Sequence, residues 1–276
     1  MKKHLSTILL FLVFFLGLSL LLYPLFSDWW NSLHQSRLIA DYDVALTTME
    51  QEDYSALFAA AEEYNREMAK MAFPLMDYDQ VDNYEDLLDV SGTGVMGYIE
   101  IPKIDVSLPI YHGTSEGVLQ VAVGHLEGSS LPTGGEGTHC VLSAHRGLPS
   151  ARLFTDLDEL EIGDTFTVTV LDRLLTYEVD QILIVEPQEV GTLYPVEGED
   201  LCTLVTCTPY GINTHRILVR GHRVESAEET RVLRVTAEAI QIEPIIIAPL
   251  VAAPILLVLL IGLLIPKRKK DETDEL

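Results

Sequence analysis

The sequence predicts a mainly β domain, a closed barrel or a sandwich, preceded by helices and flanked by two transmembrane helices. Three observations predict it. Between residues 96 and 225 at least seven short runs rich in β-branched and aliphatic residues alternate with turn residues. Between Ser32 and Phe73 apolar side chains recur at helical spacing. Two stretches without a charged residue, Leu5 to Phe26 and Pro244 to Ile265, are each long enough to cross a bilayer as a helix.

The order of segments gives the expected organisation: a cytoplasmic end and N-terminal anchor over 1–27, extracellular helices and a loop over 28–95, and the β domain over 96–225. A linker over 226–243, a C-terminal transmembrane helix over 244–266 and a cytoplasmic tail over 267–276 complete it. Lys2 and Lys3 precede the first apolar stretch, and Lys267, Arg268, Lys269 and Lys270 follow the second. Positive flanks on both outer sides place both termini in the cytoplasm and the middle of the chain outside. Trp29 and Trp30 stand where interfacial anchors are expected. The run is long for a cleaved signal and no small-residue cleavage pattern follows it. The terminal Thr-Asp-Glu-Leu, on a cytoplasmic tail, carries no retention meaning.

Composition excludes some partners. The chain has 42 acidic against 18 basic residues, a formal net charge of −24, and most of the acids lie between the two apolar stretches. Such a surface repels nucleic acid. Three cysteines with no C-x-x-C pair do not form a disulfide framework. Cys202 and Cys207 differ by five positions in one strand and so point to opposite faces; Cys202 and Cys140 read as small buried hydrophobes.

Leu38, Tyr42, Leu46, Met49, Leu57, Phe58, Ala61, Tyr64 and Met68 give two amphipathic helices between 32 and 73. Residues 74 to 94 lose that period and read as a loop. The β runs begin at Gly97-Tyr-Ile-Glu-Ile101 and Val106-Ser-Leu-Pro-Ile110. Cys140 to Ala144, Thr165 to Val170 and Tyr177 to Val185 follow, and Ser150 to Leu160 reads as a single helix capped by Ser150. The last two strands, over 201–207 and 216–222, enclose a turn carrying Pro209, Gly211 and Asn213.

That last hairpin concentrates the chemistry. Cys207 closes one strand and Arg216 opens the next, so a rigid scaffold presents both beside a loop. A thiol is a nucleophile only as thiolate, a form that a nearby cation favours. Arg216 offers a planar fork of donors suited to a developing oxyanion, although Arg220 and Arg223 are equally available by composition. Thr206, whose backbone or hydroxyl borders the nucleophile, is a candidate second donor. A histidine must complete the set, and composition does not choose among His112, His125, His139, His145, His215 and His222. No paired-ligand spacing and no H-E-x-x-H suggests zinc, and no G-x-S-x-G elbow suggests a serine hydrolase.

Taken together, T-L-V-T-C207, Arg216 nine positions later and His145 in S-A-H-R-G resemble the sortases, and more narrowly the class C, pilus-assembling transpeptidases. The resemblance implies a sortase-type β-barrel of about eight strands, with Cys207 as nucleophile, His145 as general acid and base, and Arg216 as oxyanion stabiliser. It implies an LPXTG-like sorting signal as substrate, cleaved between Thr and Gly, and the lysine amine of a pilin subunit as acceptor. No cofactor and no metal is implied. A lid over the site is expected at 74–94, usually anchored by an Asp-Pro-aromatic motif; here Asp77-Tyr78 is the nearest match and the proline is missing. The alternatives are a cell-wall-anchoring sortase, a thiol peptidase using the same residues with water as acceptor, and, more distantly, a non-catalytic surface adaptor.

Overall fold

The computed structural model describes residues 2–225 apart from 48, 50, 79, 80 and 82. The linker, the second apolar stretch and the tail expected over 226–276 lie outside the described residues.

Helix α1 spans Lys2–Thr47 and α2 spans Gln51–Met68. Eight strands follow: β1 Val95–Ile101, β2 Val106–His112, β3 Val123–His125, β4 Thr138–Ser143, β5 Thr165–Val170, β6 Arg173–Val185, β7 Asp200–Thr208 and β8 His215–Arg223. A short helix α3, Glu116–Leu119, joins β2 to β3. The strands close into a barrel in the order β1-β2-β3-β4-β7-β8-β6-β5. Two neighbour pairs are parallel, β2 with β3 and β4 with β7, and the others are antiparallel.

Strand alternation fills the barrel. In β5 the residues Phe166, Val168 and Val170 point inward and are fully buried, as the threonines between them predict. Phe154, Phe166, Tyr177, Ile99 and Leu142 are among the largest buried side chains of one core, which also takes in Phe58, Ala61 and Tyr64 of α2. Each such burial contributes about 1.5–3 kcal/mol. A smaller cluster, Val141, Leu193 and Leu218 with Val205 and Leu75 against it, lies on the opposite face of the same strands. Leu204 and Val219 belong to the inner core, whereas their neighbours Val205 and Leu218 belong to the second cluster. The outer wall of β4, β7 and β8 is therefore itself covered near its middle.

The structure differs from the sequence expectation in three places. Ser150 to Leu160 is not a helix but a series of turns with one 3-10 turn at Leu157–Glu159. Gly147 and Pro149 precede it and a left-handed Leu153 (φ 42°) interrupts it, so Ala151, Leu153, Phe154, Leu157 and Leu160 enter the core from a turning chain and not from one helix face. Strand β3 was not visible because three residues give no periodicity. The apolar stretch and the first amphipathic segment form one continuous helix, since Trp29 to Thr47 contains neither glycine nor proline.

Among the described residues, α1 is the one helix long and apolar enough to cross a membrane. From Phe11 to Phe26 its large side chains other than Leu18 are exposed, whereas Gln35 and Tyr42 are buried against the barrel. The loop over 74–94 is irregular, as expected, with a 3-10 turn at Tyr84–Asp86.

Candidate active site

Three strands bring the expected residues to one end of the barrel and to its outer face. Cys207 and Arg216 are registered partners across the antiparallel β7–β8 ladder. Cys202, Leu204 and Ile217 on these strands belong to the inner core, so alternation turns Cys207 and Arg216 outward. Strand β4 runs parallel to β7 on its other side, with Ser143 opposite Val205. The Ala144 amide donates to the Val205 carbonyl at 3.2 Å, which carries the pairing past the strand end. Continuing that register by two residues brings His145 abreast of Cys207. The loop that follows is tied down by the Phe154 amide, which donates to the His145 carbonyl at 3.2 Å.

Hydrogen bonding separates His145 from its rivals. His139 is fully buried between the Tyr194 carbonyl (3.1 Å) and the Thr203 hydroxyl (2.7 Å). His125 is buried against the Tyr84 hydroxyl and the Ser130 carbonyl, and the ring nitrogens of His112 face the carbonyls of Leu87 and Gly94. His215 meets the Thr214 hydroxyl, and His222 lies on the side of Asp180. The partner shown for the His145 ring is the exposed Glu116 carboxylate, 3.7 Å from Nε2. That leaves the imidazole half-exposed and available to substrate.

The arginines separate in the same way. Arg220 makes a two-point pair with Asp180 at 2.9 Å through both nitrogens, and Arg223 lies 3.7 Å from Asp200. Among the described residues Arg216 pairs with no carboxylate. One of its terminal nitrogens donates to the carbonyls of His215 (3.0 Å) and Asn213 (3.3 Å), which orients the fork from the β7–β8 turn. Its charge is left for an incoming group, the arrangement an oxyanion site needs.

The Thr206 hydroxyl plays a different part from the one expected of it. The side chain points into the barrel, 1% exposed, and the hydroxyl donates to the Ala144 carbonyl at 2.7 Å. The hydroxyl is therefore not an oxyanion donor. It fastens the strand carrying Cys207 to the segment carrying His145.

Arg146 escaped sequence reasoning. Its largely buried side chain forms an ion pair with Asp158 at 2.6 Å, donates to the Thr208 hydroxyl at 3.4 Å and lies 5.9 Å from the centre of the Tyr210 ring. It thus ties the His145 loop to the end of β7 on the side of the β7–β8 turn. Its adjacency to His145 was visible in the sequence; Asp158, twelve positions on, was not.

The other two cysteines do not compete. Cys140 and Cys202 are buried registered partners on β4 and β7, and burial pushes the Cys202 thiol well above its ordinary value. Cys207 is the partly exposed one. Among the described residues no group of three or more His, Cys, Asp or Glu side chains is arranged to hold a metal.

Asp77 is half-buried and Tyr78 exposed, and among the described residues neither forms a side-chain hydrogen bond with Cys207, His145 or Arg216. The segment is held instead by Pro74 and Leu75. Leu75 packs into the outer cluster beside Val205, and the Pro74 carbonyl sits where a Cβ on Gly128 would lie, 2.3 Å away.

A thiol, an imidazole and an unpaired guanidinium at the rim of a closed eight-stranded barrel define a class of cysteine acyl-transfer site, and comparison with known proteins agrees. A family model described as Sortase domain matches residues 99–224. Sortase D of Bacillus subtilis is 33% identical over 131 residues, 46% of this chain and 63% of that protein. Sortase A of Streptococcus agalactiae is 30% identical over 137 residues, 49% of this chain and 55% of that protein. The chain thus spans less than two thirds of the length of these curated relatives. Among solved structures, sortase C1 of Streptococcus agalactiae is 51% identical with a TM-score of 0.63, covering 69% of this chain and 99% of that one. Sortase C of Streptococcus pneumoniae is 43% identical with a TM-score of 0.62, covering 69% and 97%. The chain belongs to the sortase family, and its structural neighbours are class C sortases.

Proposed function

We propose that this chain is a membrane-anchored cysteine transpeptidase that cleaves an LPXTG-like sorting signal between Thr and Gly and joins the acyl group to a pilin lysine. The observation that carries the reading is the pairing of Cys207 with an arginine free of carboxylates, on the strand next to the one leading into His145. The Cys207 thiolate attacks the Thr carbonyl, and Arg216 donates to the oxygen as it becomes an oxyanion. The bond to the glycine nitrogen breaks as His145 delivers a proton to the leaving amine, which leaves a thioester. A lysine amine then attacks the thioester, His145 takes up its proton and the thiolate departs.

Two membrane anchors with both termini in the cytoplasm complete the proposal. The first is α1. The second is the apolar stretch over 244–266, reached from the end of β8 by the linker over 226–243, which can extend to about 60 Å. Residues 28–95 and 96–225 then form the extracellular helices with the lid and the catalytic barrel. The preference for pilin over wall acceptors rests on the class C structural neighbours.

Intact-mass measurement after mixing the protein with candidate sorting peptides tests the reading. A thioacyl adduct that is absent in Cys207→Ala is expected. Supplying an amine separates transpeptidase from thiol hydrolase, because only the former incorporates it. A Cys207→Ala variant that still supports surface display would favour the non-catalytic adaptor.

A further inference from the structure

The contacts of α1 order the barrel along the helix axis, and that order says which end lies nearest a membrane. Four side chains at positions 28, 31, 35 and 42 form one stripe on the helix. Asp28 accepts from the Arg152 amide at 2.8 Å, and Asn31 donates to the Ser150 carbonyl at 2.7 Å. Gln35 donates to the Val121 carbonyl at 2.7 Å. Tyr42 donates to the Met96 carbonyl at 3.0 Å and accepts from the Leu171 amide at 2.8 Å. From Asp28 to Tyr42 these ties cover about 21 Å of axis at about 1.5 Å per residue.

The end of the apolar run is two residues before Asp28. The ties of Asp28 and Asn31 therefore fall within about 8 Å of the last apolar residue, Phe26, at the helical rise. That is the depth of the headgroup region, where Trp29 and Trp30 also belong. The barrel segment held there is the loop that begins at His145. The strand ends that carry Cys207 and Arg216 are at the same end of the barrel, whereas Met96 and the β5–β6 turn at Leu171 mark the far one.

We infer that the catalytic end of the barrel rests on the phospholipid surface, with α1 as an unbroken strut and the loop over 146–155 as the contacting segment. This rests on reading α1 as a membrane anchor. The exposed groups at that end suit an interface: Pro149, the Arg152 guanidinium, and Tyr210 and Ile212, which are 61% and 68% exposed on the β7–β8 turn. The thiol is thereby fixed close above the bilayer instead of swinging on a tether.

The experiment uses the full chain carrying Cys207→Ala, in which Cys140 and Cys202 are buried, with a fluorophore at Pro149→Cys or at Val196→Cys. Val196 is exposed and precedes the start of β7, at the far end of the barrel. The protein is reconstituted in phosphatidylcholine and phosphatidylglycerol vesicles containing a headgroup-nitroxide lipid. Quenching about threefold or more stronger at 149 than at 196 is expected for sites at opposite ends of the barrel, between which β7 (Asp200–Thr208) extends about 26 Å at about 3.3 Å per residue, and Asp28→Ala with Asn31→Ala should shrink the difference. Protein that floats with the vesicles but is quenched alike at both sites would overturn the inference and leave the anchor standing. Protein that does not float would overturn both.

Discussion

Cys207 and Arg216 are direct partners across the β7–β8 ladder, and alternation turns both to the outer face of the barrel. The cation beside the Cys207 thiol is thus set by strand register and not by a flexible loop. Arg216→Ala is expected to lower kcat/KM for acyl transfer by about 10²- to 10³-fold, the usual loss on removing an oxyanion donor. Arg216→Lys should recover little of it, because an ammonium lacks the planar fork that the His215 and Asn213 carbonyls orient. Steady-state kinetics with a sorting peptide checks both. Full activity in Arg216→Lys would show that charge alone suffices.

The hydroxyl of Thr206 joins the cysteine strand to the histidine segment through the Ala144 carbonyl. Thr206→Val keeps the shape and leaves that buried carbonyl without its donor. A loss of about 1–3 kcal/mol in unfolding free energy is expected, with a fall in kcat as His145 loosens relative to Cys207. Denaturant unfolding and kinetics on the same variant measure the two effects. Unchanged kcat alongside lower stability would confine Thr206 to the fold.

Much of this arrangement was legible in the sequence. The alternation of Thr165 to Val170 and the hairpin around Pro209 are local signals, and local signals place β5, β7 and β8 correctly. Non-local pairings were not legible. The choice of Arg216 over Arg220 depends on Asp180, forty residues away, and that of His145 over His139 depends on Tyr194 and Thr203. The resemblance supplied both choices; the hydrogen bonds show only that Arg220 and His139 are committed to other partners. Ser150 to Leu160 misled because its apolar residues, although spaced like a helix, are buried by a chain that turns at Leu153.

Gly128 tests whether the loop before β1 acts as a lid. Its backbone is left-handed (φ 83°), and a Cβ there would lie 2.3 Å from the Pro74 carbonyl. Gly128→Ala must displace the segment carrying Leu75 from the outer cluster beside Val205. Faster alkylation of the Cys207 thiol is expected in that variant, while Asp77→Ala, which removes no hydrogen bond to Cys207, His145 or Arg216, should change the rate little. Equal rates in Gly128→Ala and the parent would mean that the segment does not shield the thiol.

Stability should fall on mild acidification, and His139 supplies much of the reason. Burial holds its imidazole below the ordinary histidine value, with the Arg220 charge adding to the effect and the Tyr194 carbonyl and Asp180 opposing it. The folded protein keeps His139 neutral, its Nδ1 donating to Tyr194 and its Nε2 accepting from Thr203. The unfolded chain takes up a proton near pH 6.5, so below that pH the unfolded state binds more protons and stability drops, by at most about 1.4 kcal/mol per pH unit for this group. The loss levels off once the pH passes below the folded value. Burial lowers His112 as well, against the two carbonyls at its ring, and adds to the slope. Denaturation midpoints between pH 7.5 and 5.5, a window of about one unit on either side of the free-histidine value, should fall in the parent and fall less steeply in His139→Gln. The slope is the readout, since the substitution also lowers the midpoint at every pH by removing two buried hydrogen bonds. An unchanged slope would mean that His139 is already protonated in the folded barrel.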